Sequence, residues 1–208
     1  MTKIEAIQNY LDKLLPDVGC ELNYSKDYEL LVAVVLSAQT TDKSVNLVTP
    51  NLWEKYHSIN ELANADIKDV ENAIKSIGLY KNKAKNIVLL AREIVNRFNC
   101  KVPISKEDLM SLPGVGNKTA GVTRLELFNL PELPVDTHVA RIAKRLKLAS
   151  KNDDPTTIEK KLKKAFPKDN WNKLHHQFIH FGRYHCKAIS PDCKNCKITE
   201  FCIENKAK

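Results

Sequence analysis

No stretch of this 208-residue sequence approaches the ~18 uninterrupted apolar residues of a membrane span. The opening segment, MTKIEAIQNYLDKLLPDVGC, interleaves acids and lysines with its apolar positions, so it has no apolar core of signal-peptide type. These absences predict an intracellular chain with no membrane partner. Strand-like alternation and hairpin turns are scarce, which argues against sandwiches and barrels. Fixed-period repeats and low-complexity linkers are absent too, which excludes solenoids and tail-like spacers. An acidic excess is missing: 33 Lys and Arg against 25 Asp and Glu leave a formal charge of +8. That balance favours a polyanionic partner, nucleic acid being the commonest. Apolar residues are not lacking. At 43%, with 28% charged, they exclude a disordered chain and suffice for one large or two small domains.

The apolar spacing is helical nearly throughout, so the chain is predicted to be all-α. Ile4, Ile7, Leu11 and Leu14 form one stripe, opened by a possible capping box from Thr2 to Glu5 and stopped by Pro16. Further helices are expected at about 28–38, 42–56, 67–77, 81–98, 106–111, 117–128, 137–147, 156–166 and 170–184. Asp154 followed by Pro155 reads as an N-cap and first helical residue.

The last 23 residues break this pattern. Cys186, Cys193, Cys196 and Cys202 are spaced C-x6-C-x2-C-x5-C, with too few apolar residues around them for a core of their own. In a reducing compartment such thiols read as metal ligands or buried thiols rather than disulfides. Zinc held by four cysteines usually takes two short pairs, whereas this loop has one short pair between two medium arms. Four thiols so close together suit one compact centre, an iron–sulfur cluster included. Cys20 and Cys100 stand outside the loop and are expected to be small core residues. Lys187, Lys194 and Lys197 lie between the ligands, where a pinned loop would present them to phosphate; the bland alternative is a solvated charged loop.

In Leu112-Pro113-Gly114-Val115-Gly116-Asn117-Lys118-Thr119-Ala120 a glycine turn runs directly into a helix. Gly114 and Gly116 permit unusual φ angles and close approach, and the amides of such a turn can hold a phosphate. The segment is neither a P-loop nor a Rossmann fingerprint, because no strand precedes it and the lysine is misplaced for either. With 106–111 before it, it reads as a helix-hairpin-helix. Lys118 falls in the first turn of the second helix, where the partial positive charge disfavours another cation and favours the nucleophilic neutral amine. A plain phosphate contact is its alternative role. Eighteen residues on, Asp136 is either an N-cap or a carboxylate set beside a developing sugar cation.

Five separated motifs then align in order with one family: VLSAQTTD around Gln39, IGLYKNKA around Leu79, LPGVGNKTA, PVDTHVARIAKRL, and HFGRYHC leading into the cysteine loop. From about residue 28 to 202 the chain resembles endonuclease III. The resemblance implies a six-helix barrel domain over 20–130 and a cluster-bearing domain made of 1–19 plus 131–208, with DNA across the cleft between them. It implies a four-iron 4Fe-4S cluster on Cys186, Cys193, Cys196 and Cys202, and damaged double-stranded DNA as partner. It further implies a bifunctional glycosylase and abasic-site lyase that acts on oxidised pyrimidines, with Lys118 and Asp136 at the chemistry. Gly114, Gly116, Lys187 and Lys194 are expected on the DNA, with Gln39 and Leu79 filling and wedging the opened stack. The alternatives are that Leu79 is core and that Gln39 caps its own helix end. The expected enzyme is a monomer, cytoplasmic and nucleoid-associated. Asn117, Arg124, Glu126 and Pro134 depart from the family's usual pattern at their positions.

Overall fold

The computed structural model describes residues 1–204, and every regular element among them is helical. In chain order these are α1 (Lys3–Leu14), α2 (Asp27–Leu36), α3 (Asp42–Lys55), α4 (Ile59–Ala63), α5 (Ile67–Ile74), α6 (Tyr80–Phe98), α7 (Lys106–Ser111), α8 (Asn117–Phe128), α9 (Thr137–Arg145), α10 (Pro155–Ala165) and α11 (Trp171–His180). The chain divides into two compact units: Glu21–Phe128, and Met1–Cys20 together with Asn129–Lys208. No described helix is long and apolar enough to cross a membrane.

In the unit Glu21–Phe128, α2 reads DYELLVAVVL and is buried from Tyr28 through Leu36. A helix apolar on every side has to be interior, and α3, α6 and α8 pack against it. Its one internal acid, Glu29, is 2% exposed and is satisfied locally, since Oε2 accepts from the Ser25 and Lys26 amides at 2.8 and 3.2 Å. On α6, Ala84, Ile87, Val88, Leu90, Ala91 and Ile94 are buried, and α4 and α5 pack against that helix. The short α4 is absent from the sequence-based expectation because five residues cannot display a helical period. Its start is nonetheless signalled by Ser58, whose hydroxyl caps the Glu61 amide. Cys100 departs from its expected core position: it is exposed, follows Asn99 with both residues at positive φ, and its thiol meets the Asn60 side chain at 3.5 Å.

In the other unit, α1 opens with the expected capping box between Thr2 and Glu5, and its stripe places Ile7 and Leu11 at 0% exposure. These side chains join Val139 and Ile142 of α9, Ile158 and Leu162 of α10, and Leu174, Phe178 and Phe181 in one apolar core. Asp154 caps α10 and Pro155 is its first residue, as fixed φ and a missing N–H dictate. The helix expected at 170–184 is not one regular cylinder. A 3-10 turn at Lys168–Asn170 leads into α11, and Phe181–His185 is a π-helical turn. Within that turn Gly182 faces His138 and the Arg141 guanidinium so closely that a Cβ would stand 3.0 Å from the guanidinium and from His138 Cβ, and 3.1 Å from the His138 ring. The wider turn and the missing side chain are two aspects of one close approach.

Candidate nucleic-acid interface and metal centre

The glycine hairpin is built by local hydrogen bonds. Leu112 N–H donates to Leu109 O, Val115 N–H to Leu112 O at 3.1 Å, and Ala120 N–H to Gly116 O at 2.9 Å, which starts α8 at Gly116. The two glycines have different reasons. Gly114 has φ +80°, and a Cβ there would stand 3.1 Å from Asn86 and from Val35 Cγ1, so the protein itself requires glycine. Around Gly116 nothing lies within 4 Å of where a Cβ would be. Both glycines and Asn117 are exposed, next to a helix start whose first amides have no carbonyl partner within the helix. Lys118, in that first turn, is half-buried, with Thr119 and Ala120 buried behind it.

Gln39 and Leu79 are both exposed and both sit at positive φ, 54° and 59°. For a residue with a Cβ this conformation costs roughly 1–2 kcal/mol and persists only where neighbours hold it. Leu79 is 57% exposed and occupies the N-cap position of α6, so it is not core. Thr40 follows Gln39, and its hydroxyl accepts from the ammonium of Lys83 at 2.6 Å. Lys83 itself is 5% exposed.

Asp136 is the N-cap of α9: its Oδ1 accepts from the Val139 amide at 2.8 Å. That bond fixes the direction of a half-buried carboxylate. Its neighbour His138 is held below the usual imidazole range, chiefly by burial and further by Arg141 and Arg183, with Asp136 opposing.

The four loop cysteines are brought together. Cys186, Cys193, Cys196 and Cys202 line one small cavity with Ile142, Leu146 and Phe181. The loop is not without apolar anchors, as its sequence suggested: Ile198 is 2% exposed in the unit's core, and Cys186, Cys196 and Phe201 pack against it. Arg145 adds a polar clamp. Its guanidinium donates to the carbonyls of Cys186, Lys187 and Ala188 and to the Cys186 sulfur at 3.3 Å, while Glu204 pairs with it at 3.1 Å. Burial pushes the thiols of Cys186 and Cys196 up, so thiolates there need a cation.

Among the described residues no three donors converge as on a single ion. Four thiols lining one cavity are a donor set that an iron–sulfur cluster takes. Lys187, Lys194 and Lys197 are all exposed around it.

Sequence reasoning missed Lys83, Arg141 and Arg145. Lys83 lies in KNKAK, which reads as a solvated face. The two arginines fall on the helical stripe of α9, where nothing in the spacing distinguishes a clamp from a surface cation.

Comparison with known proteins matches residues 32–168 to the HhH-GPD superfamily of base excision DNA repair proteins. Endonuclease III of Bacillus subtilis is 43% identical over 211 residues, covering 100% of this chain and 96% of that protein. Endonuclease III of Escherichia coli is 40% identical, covering 90% and 88%. A non-covalent endonuclease III–DNA complex superposes with a TM-score of 0.95 at 45% identity, covering 99% of this chain and 97% of the other. A trapped covalent endonuclease III–DNA intermediate gives 0.94 at 44% identity, covering 99% and 98%.

Proposed function

We propose, from the premise that this chain belongs to the endonuclease III family of the HhH-GPD superfamily, that it is a base-excision repair DNA glycosylase and abasic-site lyase acting on oxidised pyrimidines in duplex DNA. The observation that carries the reading is a lysine in the first turn of a helix entered through an outward-facing glycine hairpin. A trapped covalent endonuclease III–DNA intermediate among its near structural relatives accords with it.

Backbone amides around Gly114 and Gly116 hold the phosphodiester, which sets the register of the duplex. Gly116, with no internal reason to lack a side chain, leaves room for that backbone. Gln39 and Leu79 enter the stack from their exposed turns, filling the gap and wedging the neighbouring pairs while the damaged nucleotide leaves the helix. That extrusion costs a few kcal/mol, and less at a lesion.

The lone pair of Lys118 Nζ attacks the sugar C1′. The C1′–N bond breaks and its electron pair leaves with the base, which takes up a proton. Ring opening gives a Schiff base between Nζ and C1′. Loss of a C2′ proton then expels the 3′ phosphate by β-elimination, and water hydrolyses the imine to free the lysine. Asp136, its direction fixed by the Val139 amide, stabilises the positive charge that develops on the sugar.

Cys186, Cys193, Cys196 and Cys202 are the residues that would hold a 4Fe-4S cluster. Bound there, the cluster crosslinks the loop and supplies no step of the reaction. Lys187 and Lys194 then face phosphate from a fixed backbone. Duplex DNA is the partner, and the enzyme acts as a monomer in the cytoplasm at the nucleoid.

Product analysis tests the reading. On a duplex with one oxidised pyrimidine, the enzyme should release the base and leave a 3′ unsaturated aldehyde and a 5′ phosphate. Base release with an intact strand would reduce it to a monofunctional glycosylase.

A further inference from the structure

Gln39 and Leu79 sit on different turns of the unit Glu21–Phe128, and one buried side chain ties those turns together. Lys83 lies one turn into α6. Its amide donates to Leu79 O at 3.0 Å, and its ammonium donates to Thr40 Oγ1 at 2.6 Å. Thr40 in turn closes the Gln39 turn, its amide donating to Ser37 O at 3.1 Å. A single residue therefore spans from the carbonyl of one left-handed residue to the neighbour of the other.

The choice of lysine for this place is chemically costly. The residue is 5% exposed, and among the described residues Thr40 is the only group its ammonium donates to. Burying an ammonium on one hydroxyl sacrifices hydration that a methionine would never have had. Burial accordingly pushes Lys83 below the usual lysine range. A filler of apolar space would be cheaper as Met or Leu, so packing alone does not explain the ammonium. What it supplies is a charge-assisted bond of fixed length between two strained turns.

We propose that Lys83 is a positioning residue for duplex opening, its bond to Thr40 holding the Gln39 and Leu79 turns as a rigid pair. The proposal rests on the reading of those two residues as the ones that enter the stack. Ordering both turns before DNA arrives removes an entropic cost from the opening step. Lys83 touches no reacting atom, so chemistry at the sugar should not depend on it.

Single-turnover incision separates the two. One substrate carries an oxidised pyrimidine in a fully paired duplex; the other carries it within a run of unpaired bases, where no opening is needed. Lys83→Met keeps the stem and removes the ammonium; Thr40→Val keeps the shape and removes the hydroxyl, which accepts from Lys83 and donates to Ala38 O at 3.5 Å. Each variant should slow the paired substrate about tenfold and the unpaired one less than about twofold, and the double variant should be no slower than Thr40→Val, because Lys83→Met removes only the Lys83–Thr40 bond while Thr40→Val removes it together with the 3.5 Å bond from Thr40 Oγ1 to Ala38 O.

Equal slowing of both substrates, unchanged rates, or additive singles would overturn the proposal. If Lys83→Met does not fold, Thr40→Val carries the same comparison, the hydroxyl being on a half-buried loop residue. Leu79→Ala and Gln39→Ala measured alongside test the reading beneath it. A paired-to-unpaired ratio unchanged in those variants would refute the stack-entering roles themselves, whereas a ratio changed in them but not in Lys83→Met would refute only the tether.

Discussion

At the residue scale, two glycines separated by one valine carry opposite demands. Gly114 combines φ +80° with three atoms 3.1 Å from a potential Cβ. Gly114→Ala should therefore destabilise the protein by about 1–3 kcal/mol, read as a lowered Tm. Gly116→Ala meets open space and should lower Tm by less, while weakening binding to undamaged duplex. A larger Tm loss at Gly116 than at Gly114 would contradict this division. Both glycines were visible in the sequence, but their difference was not, because it depends on Asn86 and Val35 packing beneath one and on nothing lying beside the other.

At the element scale, α10 is fastened by a cation in an acidic site. Lys163 lies 2.7 Å from Glu159 and 3.1 Å from Glu132, two acids 8% and 5% exposed, and its ammonium stands 5.1 Å from the centroid of the Trp171 ring. Burial alone would lower its pKa, yet Glu159 and then Glu132 hold it above the ordinary lysine value. Lys163→Met should cost about 2 kcal/mol in chemical denaturation, a figure below that for fully buried pairs because the lysine is partly exposed. A group whose pKa is raised on folding contributes fully below its unfolded value and loses that contribution as pH rises through the folded one. The stability gap between wild type and Lys163→Met should thus be constant from neutral pH up to about pH 10.5, while both glutamates are ionised, and close above it. A gap that widened at high pH would contradict the assignment.

Elements were also where the sequence was most legible. Caps at Thr2, Asp136 and Asp154 and long amphipathic stripes mark helix starts by local chemistry, and the structure has those helices. What could not be read depends on long-range approach: the π-helical turn at Phe181–His185, made where Gly182 meets His138 and Arg141, and the anchoring of the cysteine loop by Ile198 and Arg145. The glycine hairpin and the cysteine spacing were legible as motifs, since both are local patterns. The tether through Lys83 was not, because Thr40 lies 43 positions away.

For the whole molecule, a charge of +8 and exposed loop lysines predict binding that weakens steeply with salt. Each neutralised phosphate adds roughly 0.9 to the log–log slope, so Lys187→Ala with Lys194→Ala should reduce the slope by about 2. An unchanged slope would leave those lysines off the DNA. Anaerobically purified protein should be yellow-brown with about four iron atoms per chain, and Cys196→Ala should lose both colour and iron. Hydrogen exchange at residues 186–204 should then accelerate while α2 stays protected, because α2 is buried by its own unit. A colourless protein containing one zinc would contradict the cluster.

Covalent capture of the lysine is the most direct measurement. The enzyme would be incubated with a duplex bearing one oxidised pyrimidine in the presence of borohydride, the adduct resolved on a denaturing gel, and the modified peptide identified by mass. The account predicts a trapped complex in which the sugar carbon is attached to Lys118, absent in Lys118→Gln although that variant still binds the damaged duplex. Trapping at another amine, or equal loss of binding and cleavage in Lys118→Gln, would make Lys118 a phosphate contact and contradict the account.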